Sequence, residues 1–313
     1  MAPTILVVGA TGNTGRSVTE TLPQLLKKTE ALFNHRVLAM TRSLRNPVAQ
    51  HLSKIPGVEI VEKNWIGTTS AWLHENEVVR VFIASHNEPT QFAEESAFHL
   101  AALKAGVKYV VRISTTAANV TPDCEAYYPR QHWAIEALLA SPEFSKMQWT
   151  SLQPNVFSTF YLYNAAEFVK QYLKTGKQGG PLSLLASKDA PVGIIHPDDV
   201  GIFAAHLLAK EDTTRYSGAK YVLNGPEDIT GRQIVDMVEQ AIGAKVQDVI
   251  YKDMSFVDLM PSHGSPEMVA TIKYAPVTAW EGECTASTTS KEVLEIAAPK
   301  RTPADAFKTL LEN

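Results

Sequence analysis

The fold of this chain is decided close to its start, by the stretch Thr4-Ile5-Leu6-Val7-Val8-Gly9-Ala10-Thr11-Gly12-Asn13-Thr14-Gly15. Its first part is the apolar run of a strand that is buried on both faces of a sheet. Three glycines follow at the spacing G-x-x-G-x-x-G, and a helix is predicted over 14–28. A glycine turn between such a strand and a helix lets the backbone lie against a pyrophosphate, which the helix amides and dipole attract. An ordinary strand-to-helix turn is the alternative. The stretch predicts a dinucleotide site formed by Gly9, Thr11, Gly12, Asn13, Thr14 and Gly15.

Strand and helix signals alternate along the first half of the chain, which is typical of βαβ units and a parallel sheet. Further strands are predicted at 36–40, 58–61, 78–84, 108–113 and 149–152, and helices at 90–105 and 129–140. The second half carries a strand end at 194–195, a helix over 198–208, a strand at 221–223 and an amphipathic helix over 230–242. We expect Pro129 at the first position of its helix, with Tyr128 at or before the cap.

These elements predict an α/β fold: a Rossmann-type doubly wound parallel sheet with a smaller α+β C-terminal lobe that binds the substrate. The predicted Rossmann domain comprises 1–155 and is joined again by about 190–210. The predicted substrate lobe comprises 156–189 and 211–313.

The composition excludes several function classes. Among 313 residues, 45% are hydrophobic and 20% are charged, as in ordinary soluble globular proteins. The net charge of −4 gives no electrostatic reason to expect nucleic acid or membrane partners. The two cysteines have neither C-x-x-C nor metal-ligand spacing, so we expect no metal site and a reducing compartment. A cytoplasmic location is predicted, and the nucleus stays open.

The end of the second predicted strand indicates which dinucleotide binds. At this position an acid accepts a hydrogen bond from the ribose 2′-hydroxyl of NAD, whereas an arginine accommodates the 2′-phosphate of NADP. The chain reads Thr41-Arg42-Ser43 here, with no Asp or Glu through Gln50. A guanidinium donates paired hydrogen bonds to phosphate, and the two hydroxyls add to them. The sequence therefore predicts NADP(H), although a solvated surface arginine is the simpler alternative for Arg42.

Several motifs together resemble the NmrA-like family of atypical short-chain dehydrogenases and reductases. They are Gly9-Ala10-Thr11-Gly12-x-x-Gly15, Thr41-Arg42, Tyr109-Val110-Val111-Arg112-Ile113-Ser114, Gln153-Pro154-Asn155-Val156-Phe157 and His196-Pro197-Asp198-Asp199-Val200-Gly201. The resemblance runs through essentially the whole chain. It implies a Rossmann-type domain, a smaller substrate lobe and a cleft between them. The family includes reductases of small compounds, isoflavone-reductase-like enzymes among them, and also non-catalytic NADP-sensing regulators.

The candidate catalytic residues are Ser114, Tyr128 and His132. Many short-chain dehydrogenases place a serine before a Tyr-x-x-x-Lys motif, in which the lysine holds the nicotinamide ribose and lowers the tyrosine pKa. This chain has His132 in place of that lysine. His132 is predicted to line the cofactor cleft, and a role as the essential acid is the narrower hypothesis. Its spacing from Glu136 equally fits a simple pair on the helix surface.

Further cleft residues are predicted at the ends of other strands, because ligand crevices border the carboxyl ends of parallel strands. Ser85 and His86 follow the fourth strand and Asn155 follows the sixth. Arg112 lies inside an apolar strand, where a charge requires a partner, and it reaches either a carboxylate or the cleft. An aromatic segment over 157–172 is either a substrate wall or the core of the second lobe.

We predict an NADPH-dependent reductase of a small, planar, hydrophobic carbonyl, quinone or imine compound. The alternative is an NmrA-like regulatory protein that senses NADP(H) and binds a protein partner. The chain is expected to act as a monomer or a homodimer.

Overall fold

A computed structural model describes residues 2–261 and 264–312 of the chain. The strands are β1 Thr4–Val8, β2 Arg36–Thr41, β3 Val58–Glu62, β4 Val78–Ile83, β5 Tyr109–Ile113, β6 Gln148–Pro154, β7 Leu182–Leu184, β8 Ala219–Leu223 and β9 Val249–Tyr251. The helices of the first half are α1 Gly15–Leu26, α2 Pro47–Leu52, α3 Ser70–Glu75, α4 Gln91–Ala105 and α5 Tyr127–Leu139. Those of the second half are α6 Ser158–Tyr161, α7 Tyr163–Thr175, α8 Pro197–Leu208, α9 Gly231–Ile242, α10 Pro266–Ala270, α11 Val277–Trp280, α12 Lys291–Ala297 and α13 Pro303–Glu312.

Within the described residues, seven strands form one parallel sheet in the order β3-β2-β1-β4-β5-β6-β8. The chain builds outward from β1 in one direction through β2 and β3, and then in the other from β4. The strand order therefore reverses between β1 and β4, and a crevice opens at the carboxyl ends of these two strands. The predicted doubly wound Rossmann-type sheet is confirmed.

The two faces of β1 explain why this strand is uniformly apolar. Ile5 and Val7 pack in one core cluster with residues of α1 and α8. Leu6 and Val8 point to the opposite face and pack with residues of α4 and α5. Both faces are covered, so every side chain of the strand is excluded from solvent, as expected for an interior strand of the sheet.

A second, smaller core lies in the C-terminal part of the chain. There β7 and β9 form a two-stranded parallel sheet, and α7, α9 and α13 pack around it. The sequence prediction assigned all of 211–313 to this lobe, and for β8 that assignment is wrong. β8 pairs with β6 over its whole length, and its Tyr221 packs edge-to-face on Phe203 of α8, so it completes the large sheet.

The start of α5 also differs from the prediction. The helix begins at Tyr127, so Pro129 is its third residue and Tyr128 its second. Proline is tolerated throughout the first helical turn, because the N–H groups there have no partner within the helix. Tyr128 consequently lies one turn before His132 on the same helix face, and the two rings are 6.5 Å apart, centroid to centroid.

Candidate active site

The glycine turn has the geometry of a phosphate cradle. Gly9 has φ of +79°, and its carbonyl accepts a hydrogen bond of 2.9 Å from the Gly12 amide. A Cβ on Gly9 would lie 2.9 Å from the Ala84 carbonyl oxygen. No side chain caps the N-terminus of α1, whose first turn also lacks acidic residues. The amides and the positive dipole end of this helix therefore face the crevice without a competing group.

Five of the six predicted turn residues line the crevice, namely Gly9, Thr11, Gly12, Asn13 and Thr14. Gly15 does not. A Cβ on Gly15 would lie only 2.1 Å from the Gly9 carbonyl oxygen, so this glycine allows α1 to start against the turn. Its contribution to the site is the shape of the turn.

The crevice continues into one cleft of about 690 Å³ at the carboxyl ends of β1 to β6. Strand ends place most of its polar side chains, as the sequence predicted. Its lining includes Thr41, Arg42, Ser85, His86, Ser114, Tyr128, His132 and Asn155. Of the predicted cleft residues, Ser43 is outside the lining, and its hydroxyl accepts a hydrogen bond from the Arg45 amide instead.

Arg42 supplies a positive charge at the β2 end of the cleft. Its side chain is exposed and makes no ion pair with any residue in 2–261 or 264–312. The Thr41 hydroxyl is buried beside it and lies 3.4 Å from the Thr11 hydroxyl. A free guanidinium next to the helix N-terminus favours an anionic ligand at this end.

The sequence prediction missed a further part of the wall, which follows β3. It consists of Lys63, Asn64, Trp65 and Ile66. The Trp65 ring lies 5.6 Å from the ring of His86, which also lines the cleft. Ligand crevices border the carboxyl ends of parallel strands, and this expectation holds for the third strand as it does for the fourth, fifth and sixth. The position of these residues directly after the third predicted strand was therefore the signal that could have identified them.

Ser114 and Tyr128 lie toward the β5 end of the cleft. The Ser114 hydroxyl is buried and has no hydrogen-bond partner among the described residues, although the side chain lines the cleft. A buried hydroxyl in this state indicates a ligand or a water molecule. Burial raises the pKa of Tyr128 to about 12 despite a hydrogen bond with Thr115, so the phenol is neutral and able to donate a proton.

Arg112, the charge inside β5, reaches a carboxylate. Its Nε donates to Glu95 Oε1 at 2.7 Å, and its Nη1 donates to the Ser151 hydroxyl at 3.1 Å. Its Nη2 lies 2.8 Å from Nδ1 of His132. Burial alone would raise the pKa of Glu95, but Arg112 and His99 hold it well below its usual value. Each of the three nitrogens of the buried guanidinium therefore has a partner.

These contacts fix the state of His132. A guanidinium only donates hydrogen bonds, so Nδ1 of His132 must accept and carries no proton. The remaining proton is on Nε2, which lies 3.0 Å from Oδ1 of Asn87 at the cleft. Burial, and then the charge of Arg112, lower the pKa of His132 to about 3. His132 is a neutral hydrogen-bond donor.

Two expectations about His132 change accordingly. Its predicted place in the cleft is supported by the geometry, but an imidazolium acting as the essential acid does not fit a pKa near 3. The suggested surface pair with Glu136 is wrong. Glu136 is fully buried and accepts hydrogen bonds from Ser151 and Gln153, with the Lys220 ammonium 3.0 Å away.

The three other predicted cleft residues are held by the protein itself. The Ser85 hydroxyl donates to Glu95 at 2.6 Å, and Nε2 of His86 faces the carboxylate of Glu94. The Asn155 amide nitrogen lies within 2.9–3.2 Å of three acceptors, so Asn155 joins the two lobes. Its side-chain nitrogen is not free to hold a ligand.

Of the aromatic segment over 157–172, two members line the cleft, Phe157 and Phe160. Tyr161, Phe168 and Tyr172 pack in or against the core of the smaller lobe. The segment thus serves mostly as lobe core. Among the described residues there is no group of three or more His, Cys, Asp or Glu side chains able to hold a metal ion. In the same residues, none of the helices has the length and apolar character to cross a membrane.

Comparison with known proteins places the chain in a family. The sequence pattern of the NmrA-like family matches residues 1–298. The chain belongs to the NmrA-like family. This confirms the resemblance seen in the motifs.

Two curated relatives of this NmrA-like protein are reductases. One is a (4-alkanoyl-5-oxo-2,5-dihydrofuran-3-yl)methyl phosphate reductase of Streptomyces griseus, 26% identical over 272 residues that cover 87% of this chain and 86% of the relative. Another is an NAD(P)H azoreductase of Xenophilus azovorans, 25% identical over 266 residues that cover 85% and 83%. Among solved structures, an NADPH-dependent quinone oxidoreductase of Escherichia coli in complex with NADPH shares the fold. Its TM-score is 0.73 at 21% identity, with 98% of this chain and 99% of that chain covered.

The neutral state of His132 makes stability of this NmrA-like protein depend on pH. The unfolded chain takes up a proton on this histidine below about pH 6.5, whereas the folded chain does not until about pH 3. Stability from this group is therefore complete above about pH 6.5 and is lost as the pH falls, by about 1.4 kcal/mol per pH unit. Between pH 6.5 and 5 we expect a loss of about 2 kcal/mol in the free energy of unfolding.

Urea unfolding at these two pH values tests this expectation. His132→Asn should reduce the dependence but not abolish it, because burial also lowers the pKa values of His35, His196 and His206. His74→Asn, which alters an exposed side chain, should leave the dependence as in the wild-type protein. The low pKa of Glu95 affects stability only below its unfolded value of about 4.5, outside this window. Equal slopes in the wild-type protein and His132→Asn would contradict the buried neutral state.

Proposed function

We propose that this protein is an NADPH-dependent oxidoreductase that reduces a small, planar, hydrophobic carbonyl, quinone or imine compound. The observation that carries the proposal is one continuous cleft. It has a glycine turn and the free Arg42 at one end, and Ser114, Tyr128 and a neutral His132 at the other. Family membership and the two reductases among the curated relatives support it.

The described residues fit a phosphorylated dinucleotide. The uncapped start of α1 and the backbone around Gly9 and Gly12 would hold the pyrophosphate. Arg42, with the Thr41 hydroxyl, would hold the 2′-phosphate. The unpartnered hydroxyl of Ser114 is left to donate or accept at the nicotinamide end, where the Nε2–H of His132 faces Oδ1 of Asn87.

The reduced nicotinamide would supply a hydride to the bound acceptor. Tyr128 is neutral and lines the same end, so its hydroxyl would donate a hydrogen bond and then a proton to the acceptor oxygen or nitrogen. Phe157 and Phe160 offer aromatic faces to a flat apolar molecule.

A panel of naphthoquinones, enones and imines tests the proposal. The assay follows the loss of NADPH absorbance with purified protein against the spontaneous rate of each compound. We expect at least one class to be reduced well above the spontaneous rate. If NADPH binds but no compound consumes it, the reductase proposal fails and the sensing role that the sequence left open becomes the better one.

The Arg42 assignment makes a separate prediction. Arg42→Ala should weaken NADPH binding by about 10- to 100-fold, since hydrogen bonds to a charged group contribute about 1.5–3 kcal/mol. NADH binding should change by less than about twofold, because NADH lacks the 2′-phosphate. Calorimetric titration of both nucleotides measures the two ratios, and Arg45→Ala, which alters an arginine outside the cleft lining, is the control. Equal losses for both nucleotides would contradict the phosphate role of Arg42.

A further inference from the structure

A second cavity adjoins the β5 end of the candidate cleft. It has a volume of about 340 Å³ and shares Thr116 and Asn155 with the cleft. Its other polar members are Gln153, Asn224, Glu283 and Thr288, and we call it the side pocket. The lining, all of it within the described ranges, contains no arginine, lysine or histidine. A substrate in the cleft therefore lies beside a second, smaller compartment with both apolar and polar lining residues.

The amide N–H groups at the side pocket are already used within the protein. The Asn155 amide nitrogen donates to Oδ1 of Asn224 and to the Cys284 carbonyl, each at 2.9 Å. The Asn224 amide nitrogen donates to the hydroxyls of Thr288 and Thr289, at 3.0 and 3.1 Å. The Thr288 hydroxyl itself donates to the Thr285 carbonyl. These side chains have no hydrogen left for a ligand.

The side chain of Gln153, in contrast, has a hydrogen-bond acceptor without a partner among the described residues. Its side chain is buried, with 7% exposure, and its Nε2 lies 3.2 Å from both oxygens of Glu136. The nitrogen must face the carboxylate, because an oxygen there would set acceptor against acceptor. Oε1 is thereby turned away from Glu136 and accepts no hydrogen bond from the described residues. This oxygen is therefore available to a donor from a ligand or from water.

Glu283 adds a negative charge to the side pocket. Its side chain is exposed, and no arginine, lysine or histidine of the lining balances its charge. The side pocket therefore offers two free acceptors, the neutral Oε1 of Gln153 and the carboxylate of Glu283, together with the Thr116 hydroxyl, which can donate or accept.

We infer that the side pocket binds a hydrogen-bond-donating substituent of the substrate, an ammonium or a hydroxyl group, and disfavours carboxylate, sulfonate and phosphate substituents. The inference rests on the proposed function in that the cleft beside it holds the reducible group. Oε1 of Gln153 accepts a hydrogen bond from either group, whereas the carboxylate of Glu283 favours the ammonium group.

Equilibrium binding of matched probes tests this. Three naphthalenes carry an aminomethyl, a hydroxymethyl or a carboxylate group at the same ring position, and each is titrated calorimetrically into the NADP⁺-saturated protein at neutral pH. We expect the ammonium compound to bind about 10- to 100-fold more tightly than the carboxylate, with the hydroxyl compound between them. A carboxylate that binds as tightly as the ammonium, or no saturable binding of any probe, overturns the inference.

Two variants measure the contributions of Glu283 and Gln153 separately. Glu283→Gln should reduce the ammonium preference severalfold and leave the hydroxyl compound unchanged, and the exposed Glu281→Gln, outside the side pocket, should alter neither. Gln153→Met should weaken both donor compounds by about two- to tenfold, with urea unfolding as the check that it folds. An unchanged ammonium preference in Glu283→Gln overturns the role of that carboxylate.

Turnover distinguishes this inference from the proposed function. If an unsubstituted naphthoquinone is reduced but the three naphthalenes bind alike, the function stands and the side pocket inference fails. If the binding order holds and no acceptor is reduced, the reductase proposal fails instead.

Discussion

Tyr128→Phe is expected to lower kcat by about 100-fold or more, because a positioned general acid contributes about 10²–10⁴-fold to a reaction rate. The affinity for NADPH should stay within about twofold, since in the proposed mechanism the hydroxyl acts on the acceptor and not on the dinucleotide. The measurement is steady-state NADPH oxidation with whichever acceptor the panel selects, together with calorimetric titration of NADPH. Tyr163→Phe is the matched control, because Tyr163 is exposed and lies outside the cleft lining.

The pH profile of kcat gives the same assignment a second test. The pKa of Tyr128 is raised to about 12 and that of His132 is lowered to about 3, so neither group changes its protonation between about pH 6 and pH 9. The rate should be nearly flat over this range. A fall in kcat toward high pH that is present in the wild-type protein and absent from Tyr128→Phe would mean that the tyrosine ionises near neutrality. This outcome would contradict the raised pKa of Tyr128. Full activity in Tyr128→Phe would require a different proton donor.

Most of the fold was predictable because its signals are local. β1 is apolar on both faces because both are covered, and Gly9 is a glycine because its φ is positive. The strands that follow were each confirmed, and from their order the reversal between β1 and β4 and the crevice there follow directly. β8 was misplaced because its short strand pattern contains nothing that shows which sheet it joins.

Residues of the candidate site could be predicted only where they directly follow a predicted strand. Arg42, Ser114 and Asn155 follow strands, and each lines the cleft. The wall of 63–66 follows β3 by the same rule. The environment of His132 had no such signal, because its partners come from α4, β5 and the loop after β4, and only packing brings them together. Likewise, the sequence does not distinguish a proline at the first position of a helix from one at the third. The start of α5 was therefore predicted two residues too late, which put Tyr128 at or before the cap and not inside the helix.

Arg112→Met is expected to lower the free energy of unfolding by about 3–5 kcal/mol, because it leaves the buried carboxylate of Glu95 without its cation. Urea unfolding at pH 7 measures this. The double variant Arg112→Met/Glu95→Gln should recover a large part of the loss, since removing both charges avoids an unpaired buried ion. Arg232→Met breaks an exposed ion pair with Asp189 and should leave stability almost unchanged. A double variant no more stable than Arg112→Met would show that Arg112 acts mainly through its other contacts.

The single variant Arg112→Met also connects stability with the state of His132. The charge of Arg112 is one of the two causes that lower the pKa of His132, and burial is the larger. In Arg112→Met, Nδ1 loses its donor while Glu95, whose charge raises the pKa of His132, is retained. The pKa should therefore rise toward 6.5, so the folded and unfolded chains take up the proton at more similar pH. The loss of stability between pH 6.5 and 5 should consequently be smaller than in the wild-type protein. If the slope is unchanged, Arg112 stabilises the fold without setting the protonation of His132, and the neutral donor at the cleft depends on burial alone.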